Sequence, residues 1–282
     1  PTPTMPVAGV PLGHFLGSQA KVAKSGPKFF KLGPVTLADA ASGYTAGFDV
    51  LKPTLLAVPA NKNGEGFTDA VTHLTAYAIK VAKGSAKFAT RTDVSVANQC
   101  GSLVLTLKKP VSLLVPTGVN VAAPAPHEVD HFLCYQAKMQ KKLVATGVGV
   151  PTLPKAVQVD VAVGASAARR YDLKKVVSLC LPVAKSGSPK VLAGPNKGQD
   201  FTLAPAAVGR PGAFLVCYAA KLATKTIVQN GCGPATPGDK GTKIVPKQTK
   251  AAPQLGVQIG NQLGAGALDT KKETLICIPS AS

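Results

Sequence analysis

LDTKKETLICIP, Leu268 to Pro279, is one of four versions of a block that recurs without a gap along this 282-residue chain. The others are FDVLKPTLLAVP ending at Pro59, LTLKKPVSLLVP ending at Pro116 and YDLKKVVSLCLP, Tyr171 to Pro182. Each closing block follows an opening block: HFLGSQAK at His14, HLTAYAIK at His73, HFLCYQAK at His131 and FLVCYAAK at Phe214. Between the two, apolar residues alternate with small or polar ones, at Val35 and Leu37, Val94 and Val96, Val157 and Val159, and Val257 and Ile259. A period of two is that of a strand with one buried face. The 24 prolines and 28 glycines interrupt any helical period. In the second and fourth copies the turn is NQCG, Asn98 to Gly101, and NQLG, Asn261 to Gly264, residues suited to the positive φ of a tight reversal. Each copy reads as about four strands, too few to bury a core alone. The expected class is all-β.

The links between copies group them in pairs. GEGFT, Gly64 to Thr68, joins the first to the second, and GQDFT, Gly198 to Thr202, joins the third to the fourth, whereas a Pro/Ala stretch, Val119 to Pro126, lies between the second and third. The expectation is two tandem β-sandwich or barrel-like domains, each of roughly eight strands. They follow an extended N-terminal segment at 1–13. The first domain covers 14–118, with repeats 14–59 and 73–116; a linker spans 119–130. The second covers 131–282, with repeats 131–182 and 214–279 and a Gly, Pro, Lys and Thr-rich insertion at 222–253.

The cysteines come and go in pairs. Cys134 and Cys180 belong to the third copy, Cys217 and Cys277 to the fourth, and the equivalent positions of the first two hold Gly17 with Ala57 and Ala76 with Leu114. Joint loss is what a disulfide within each later copy produces; buried free thiols are the alternative. Closing such a loop stabilises by roughly 4 kcal/mol in the chain-entropy model. Cys100, in the NQCG turn, and Cys232, in the insertion, stand outside this logic and are expected to bridge to each other or across molecules. Disulfides persist in oxidising compartments, which places the mature protein outside the cell or on its surface. The chain begins at Pro1, and a cleaved signal peptide is expected to have preceded it. No run approaches the roughly eighteen apolar residues of a membrane helix.

Lysine and arginine number 32 against 13 aspartates and glutamates, a formal net charge of +19. Such a surface attracts polymers of phosphate or carboxylate. The lysines recur at repeat positions: Lys21, Lys80, Lys138 and Lys221 end the opening blocks, and Lys52, Lys109, Lys175 and Lys272 sit in the closing blocks. This periodicity assigns many of them to the outer face of the fold, their stems covering apolar surface.

The signature CYAAK, Cys217 to Lys221, then NQLG, then LDTKKETLICIPS, Leu268 to Ser280, resembles that of a group of uncharacterised secreted bacterial β-rich repeat domains with the pattern CYxxK, NQxG and LDxxKxxxLCxPS. The first two copies depart from it by lacking the cysteines. The resemblance implies a secreted β-rich module and transfers no catalytic residue.

Catalytic patterns fail on inspection. HEVDH, His127 to His131, matches the zinc-protease motif, which needs a helix to bring its histidines together. Here Pro124 and Pro126 precede it, and its second histidine opens a strand, in which residues four apart lie about 13 Å from one another. NKNGEG, Asn61 to Gly66, is too poor in carboxylates for calcium. No phosphate-loop or nucleophile-elbow spacing occurs. There is no tryptophan, and Phe48, Tyr77, Tyr135, Tyr171 and Tyr218 fall at core-like positions, which leaves little for base stacking. Neither enzyme, metal nor cofactor is expected. The leading expectation is an extracellular structural protein, a self-assembling subunit of a fibre, sheath or surface layer. Its tail of Pro1, Thr2, Pro3, Thr4, Met5, Pro6, Val7, Ala8, Gly9 and Val10 would add as a strand to a neighbour. The alternative is a secreted or surface-bound module that binds acidic polysaccharide or extracellular DNA through its charge.

Overall fold

A computed structural model describes residues 12–39, 41–120, 129–229, 232–233 and 235–281. The segment Pro1 to Val10, assigned to assembly above, lies outside them. The described residues contain strands and turns and no helix. The first repeat supplies β1 (His14–Val22), β2 (Leu32–Asp39) and β3 (Tyr44–Lys62); the second β4 (His73–Val81), β5 (Arg91–Asn98) and β6 (Gly101–Val119). The third supplies β7 (His131–Met139), β8 (Gln158–Ala162) and β9 (Arg169–Ser186), and β10 (Lys190–Val191) follows it. In the fourth, β11 (Phe214–Leu222) precedes the insertion with its small hairpin β12 (Lys225–Thr226) and β13 (Thr242–Lys243), then come β14 (Val257–Asn261) and β15 (Gly264–Ser280). Each repeat is thus an opening strand, a short strand and one long closing strand of 17 to 19 residues.

Opening and closing strands form a single antiparallel ring in the order β1, β3, β4, β6, β7, β9, β11, β15 and back to β1. This corrects the expected division into two domains. β6 pairs with β7 directly across the expected linker, from Leu105 opposite Met139 to Leu114 opposite Phe132, and β1 pairs with β15 to join the ends of the chain. The reason lies in the short strands. Each is hydrogen-bonded to the first half of its own closing strand, and its other edge needs a partner. That partner is the end of the closing strand two repeats away: Asp39 lies opposite Val183, Ala162 opposite Asn61, Asn261 opposite Thr117 and Ala97 opposite Ala281. Repeats one and three clasp each other, as do two and four. The similar links after repeats one and three therefore reflect a two-fold relation around one ring.

Each clasp closes a smaller ring, such as β2, β3, β4, β6, β7 and β9, against the outer side of the central one. The large core fills these side rings. The clasps repeat one polar contact within it: Tyr135 OH donates to Asp39 Oδ2 at 2.8 Å, Asn261 Nδ2 donates to Tyr77 OH at 2.8 Å, and Asn98 Nδ2 donates to Tyr218 OH at 3.0 Å. Burial pushes the phenols of Tyr77 and Tyr218 up to about 12, so they remain neutral hydrogen-bonding groups. In the remaining clasp Ser18 replaces the tyrosine, and the register puts Val163 where the others have Asp or Asn, so both partners change together.

Candidate polyanion-binding surface

The inner face of the ring is read along the opening strands, where alternate residues share a side. Phe15, Leu74, Phe132 and Leu215 form a buried layer, and Gly17, Ala76, Cys134 and Cys217 form the next. One step further, at Gln19, Ala78, Gln136 and Ala219, the face opens to solvent, and the following step is Lys21, Lys80, Lys138 and Lys221, all exposed. The outer face stays buried over the same span, with Tyr77, Ile79, Tyr135, Ala137 and Tyr218. An eight-strand ring is only wide enough for its own side chains, so two layers plug it and the rest is an open mouth.

The plug contains the cysteines. Cys134 is opposite Cys180 across β7 and β9 and bonded to it, and Cys217 is opposite Cys277 across β11 and β15 and bonded to it. The two bridges touch, with Cys180 Sγ 4.0 Å from Cys217 Sγ. The other half of the layer is Gly17, Ala57, Ala76 and Leu114. Cys100 is bonded to Cys232, which ties the turn after β5 to the insertion of the fourth repeat within the same chain.

Below the plug every closing strand shifts register twice against its neighbour, and the second step from the plug falls at lysines. Lys52 is opposite Ala78; Lys108 and Lys109 lie against Gln136, Lys174 and Lys175 against Ala219, and Lys271 and Lys272 against Gln19. Two residues opposing one bend the strand, and this bend lets its first half leave the central ring for a side ring. Because the opposing residues belong to the inner face, the bulge lysines surround the same mouth as the four opening-strand lysines. All of them are exposed. The periodic lysines are exposed, as expected, and the register adds that they stand around the mouth, while the outer side of the ring is covered by the side rings.

Few carboxylates answer them: Asp49 lies opposite Lys80, and the others are occupied. Asp269 sits 3.6 Å from Lys21 and accepts the Gly256 N–H; Asp172 binds Gln158 and, at 3.0 Å, Lys174. Glu273 is held by both Nη atoms of Arg169 and by Tyr171 OH at 2.6 Å. The loops add to the asymmetry. All opening strands run the same way around the ring, so the loops that leave them, 23–31, 82–90, 140–157 and the insertion after β11, start from the mouth. In sequence they are lysine-rich and hold one carboxylate, Asp239. Of the links between repeats, 63–72 holds Glu65 and Asp69 at the other end, where Asp130 accepts the Gly209 and Arg210 N–H groups; the earlier part of 187–213 reaches back towards the mouth loops, with Lys190 opposite Gly33 and the Leu192 N–H donating to the Lys31 carbonyl.

The described histidines, His14, His73 and His131, open strands at that second end. His14 shares a cluster with Gln99, at 3.1 Å, and with Glu65, which also pairs with the buried Lys62. Burial, then the neighbouring Lys62 charge, lower its pKa to about 4. The position equivalent to Lys62 in the third repeat is Lys185, equally buried but bonded to neutral Gln262, and burial lowers its pKa to about 8. His131 is buried at the start of β7, as a strand residue, while His127 and Glu128 of HEVDH lie outside the described residues. Among the described residues no group of three His, Cys, Asp or Glu side chains is placed to hold a metal. NKNGEG is a turn in which Asn61 Oδ1 accepts the Gly66 N–H. Among the described residues no helix is long and apolar enough to cross a membrane. No protein-family model, curated protein or solved structure matches the chain.

Proposed function

We propose that the protein is a non-enzymatic extracellular module that binds acidic polymers through the lysine mouth of its ring. One observation carries this reading: four strands and four bulges bring exposed lysines to one end, where the loops add lysines and almost no acid. Lysine ammonium groups act as point charges on flexible stems, which suits an extended, irregular polyanion better than planar two-pronged recognition. The tyrosines are committed to the core, so nucleic acid bases would find no platform and only the phosphate backbone would be engaged. Three disulfides support an oxidising, extracellular setting. The test is retention on immobilised heparin. Lys174→Glu, Lys175→Glu, Lys271→Glu and Lys272→Glu combined should elute at much lower salt than the unaltered protein, and equal retention removes the proposal.

The charge asymmetry also favours a second reading, the self-assembling structural subunit. The lysine mouth of one copy would meet the Glu65, Asp69 and Asp130 end of the next, with Pro1 to Val10 adding as a strand. Such stacking should grow at low salt and dissolve as screening increases. Sedimentation as a monomer at every salt concentration rules it out.

A further inference from the structure

The insertion between β11 and β14 breaks the symmetry of the mouth in one quadrant. It lies along β8 and, with the end of β3, encloses a polar groove of about 250 Å³ lined by Asn63, Gln158, Asp160, Arg170, Ile227 and Gln229. Gln158 lies opposite Asp172, and Asp172 lies opposite Lys221, so the groove runs out from the lysine mouth along one continuous face. We infer that this groove is a subsite for one sugar unit of an acidic polysaccharide whose charged chain lies across the lysines, an assignment that rests on the polyanion reading.

The lining is fixed before any ligand arrives. Arg170 grips Asp160 through Nε at 2.7 Å and Nη2 at 2.5 Å. Gln158 Nε2 donates to Asp172 and to the Lys225 carbonyl, both at 2.8 Å, and its Oε1 accepts the Ile227 N–H at 3.1 Å. Gln229 Oε1 accepts the Gln158 N–H at 2.9 Å. Asn63 holds a left-handed backbone, φ 54°, and spends its Oδ1 on the Asp160 N–H at 2.9 Å. Its Nδ2, and Nη1 of Arg170, have no hydrogen bond among the described residues. Two spare donors, a carboxylate with further lone pairs and small apolar surfaces from Val159 and Ile227 form the polar and apolar pattern that a sugar ring offers in return. The volume is below the ~300 Å³ at which drug-sized pockets begin, which limits the occupant to about one ring. No aromatic side chain lines it, so a nucleobase gains no stacking there.

The experiment measures, by calorimetry on the full protein, binding of a heparin hexasaccharide and of linear inorganic polyphosphate matched to it in charge. The two carry similar charge, and only the first has sugar rings. The unaltered protein should prefer the hexasaccharide. Asn63→Gly tolerates the positive φ and removes the amide, and Arg170→Lys keeps the charge and removes Nη1. Each should weaken the hexasaccharide about fivefold, the range of a lost hydrogen bond, and leave polyphosphate within twofold. Lys174→Ala with Lys175→Ala should weaken both ligands. No preference for the hexasaccharide, or an equal response of the two ligands to the groove variants, overturns the subsite and leaves the lysine mouth standing. Failure of the unaltered protein to bind either ligand overturns both.

Discussion

The two ends of the central ring are made by the same strands and have opposite characters. At one end the inner face is packed with Phe15, Leu74, Phe132, Leu215 and the sulfur layer, and the adjoining links are rich in carboxylates. At the other the same face is exposed and ringed by lysines. The difference teaches that burial along an eight-strand ring is set by how far its strands stay together. Where the closing strands bulge and swing out to build the side rings, the inner face loses its opposing wall and must be polar. The fold and the basic mouth therefore have one cause.

The contrast is broken most severely at the plug. Cys134→Ala with Cys180→Ala opens a cross-link between residues 46 apart and should cost roughly 4 kcal/mol, read as a lower urea midpoint. Heparin retention of the folded fraction should survive, because the bridge lies above the lysines. The half of the plug without disulfides is tested by overfilling. A Cβ on Gly17 would meet Leu55 Cδ1 and Leu275 Cβ at 3.1 Å, so Gly17→Val should destabilise by about 1–3 kcal/mol. A comparable effect separates the ends by pH. His14 has a folded pKa of about 4, below its unfolded value, so the folded state holds fewer protons than the unfolded state between those values. Its contribution is present above pH 6.5 and is lost as pH falls towards 4, by on the order of 3 kcal/mol. Thermal denaturation from pH 7 to 4 should show this slope, and His14→Gln should flatten it. The lysine mouth should bind heparin equally well at pH 7 and pH 5.

Much of the fold was legible in the repeated blocks. The alternation at Val35 and Leu37 or Val257 and Ile259 marks strands that the structure contains, and the all-β class follows from it. The ring was not legible, because the partner of β2 is chosen by a free edge two repeats away, and no local pattern around Leu32 to Asp39 names Val183. The mouth was half legible. The lysine repeat was visible, but its side depends on the bulges, and a doubled lysine in LTLKK or LDTKK reads equally well as an ordinary solvated strand end. A usable signal was present in HFLCYQAK, where Phe132, Cys134, Gln136 and Lys138 grade from apolar to charged along one face. The groove depends on the insertion folding back on β8, which composition alone does not foretell.

The most direct test of the central claim is the salt dependence of heparin affinity in two variants, one altered at each end. Replacing Lys174, Lys175, Lys271 and Lys272 by alanine should reduce the slope of log affinity against log salt by roughly 0.7 for each lysine that releases a counterion. Replacing Arg210, held beside Asp130 at the opposite end, by alanine should leave the slope unchanged. Equal losses of slope in the two variants would contradict the account.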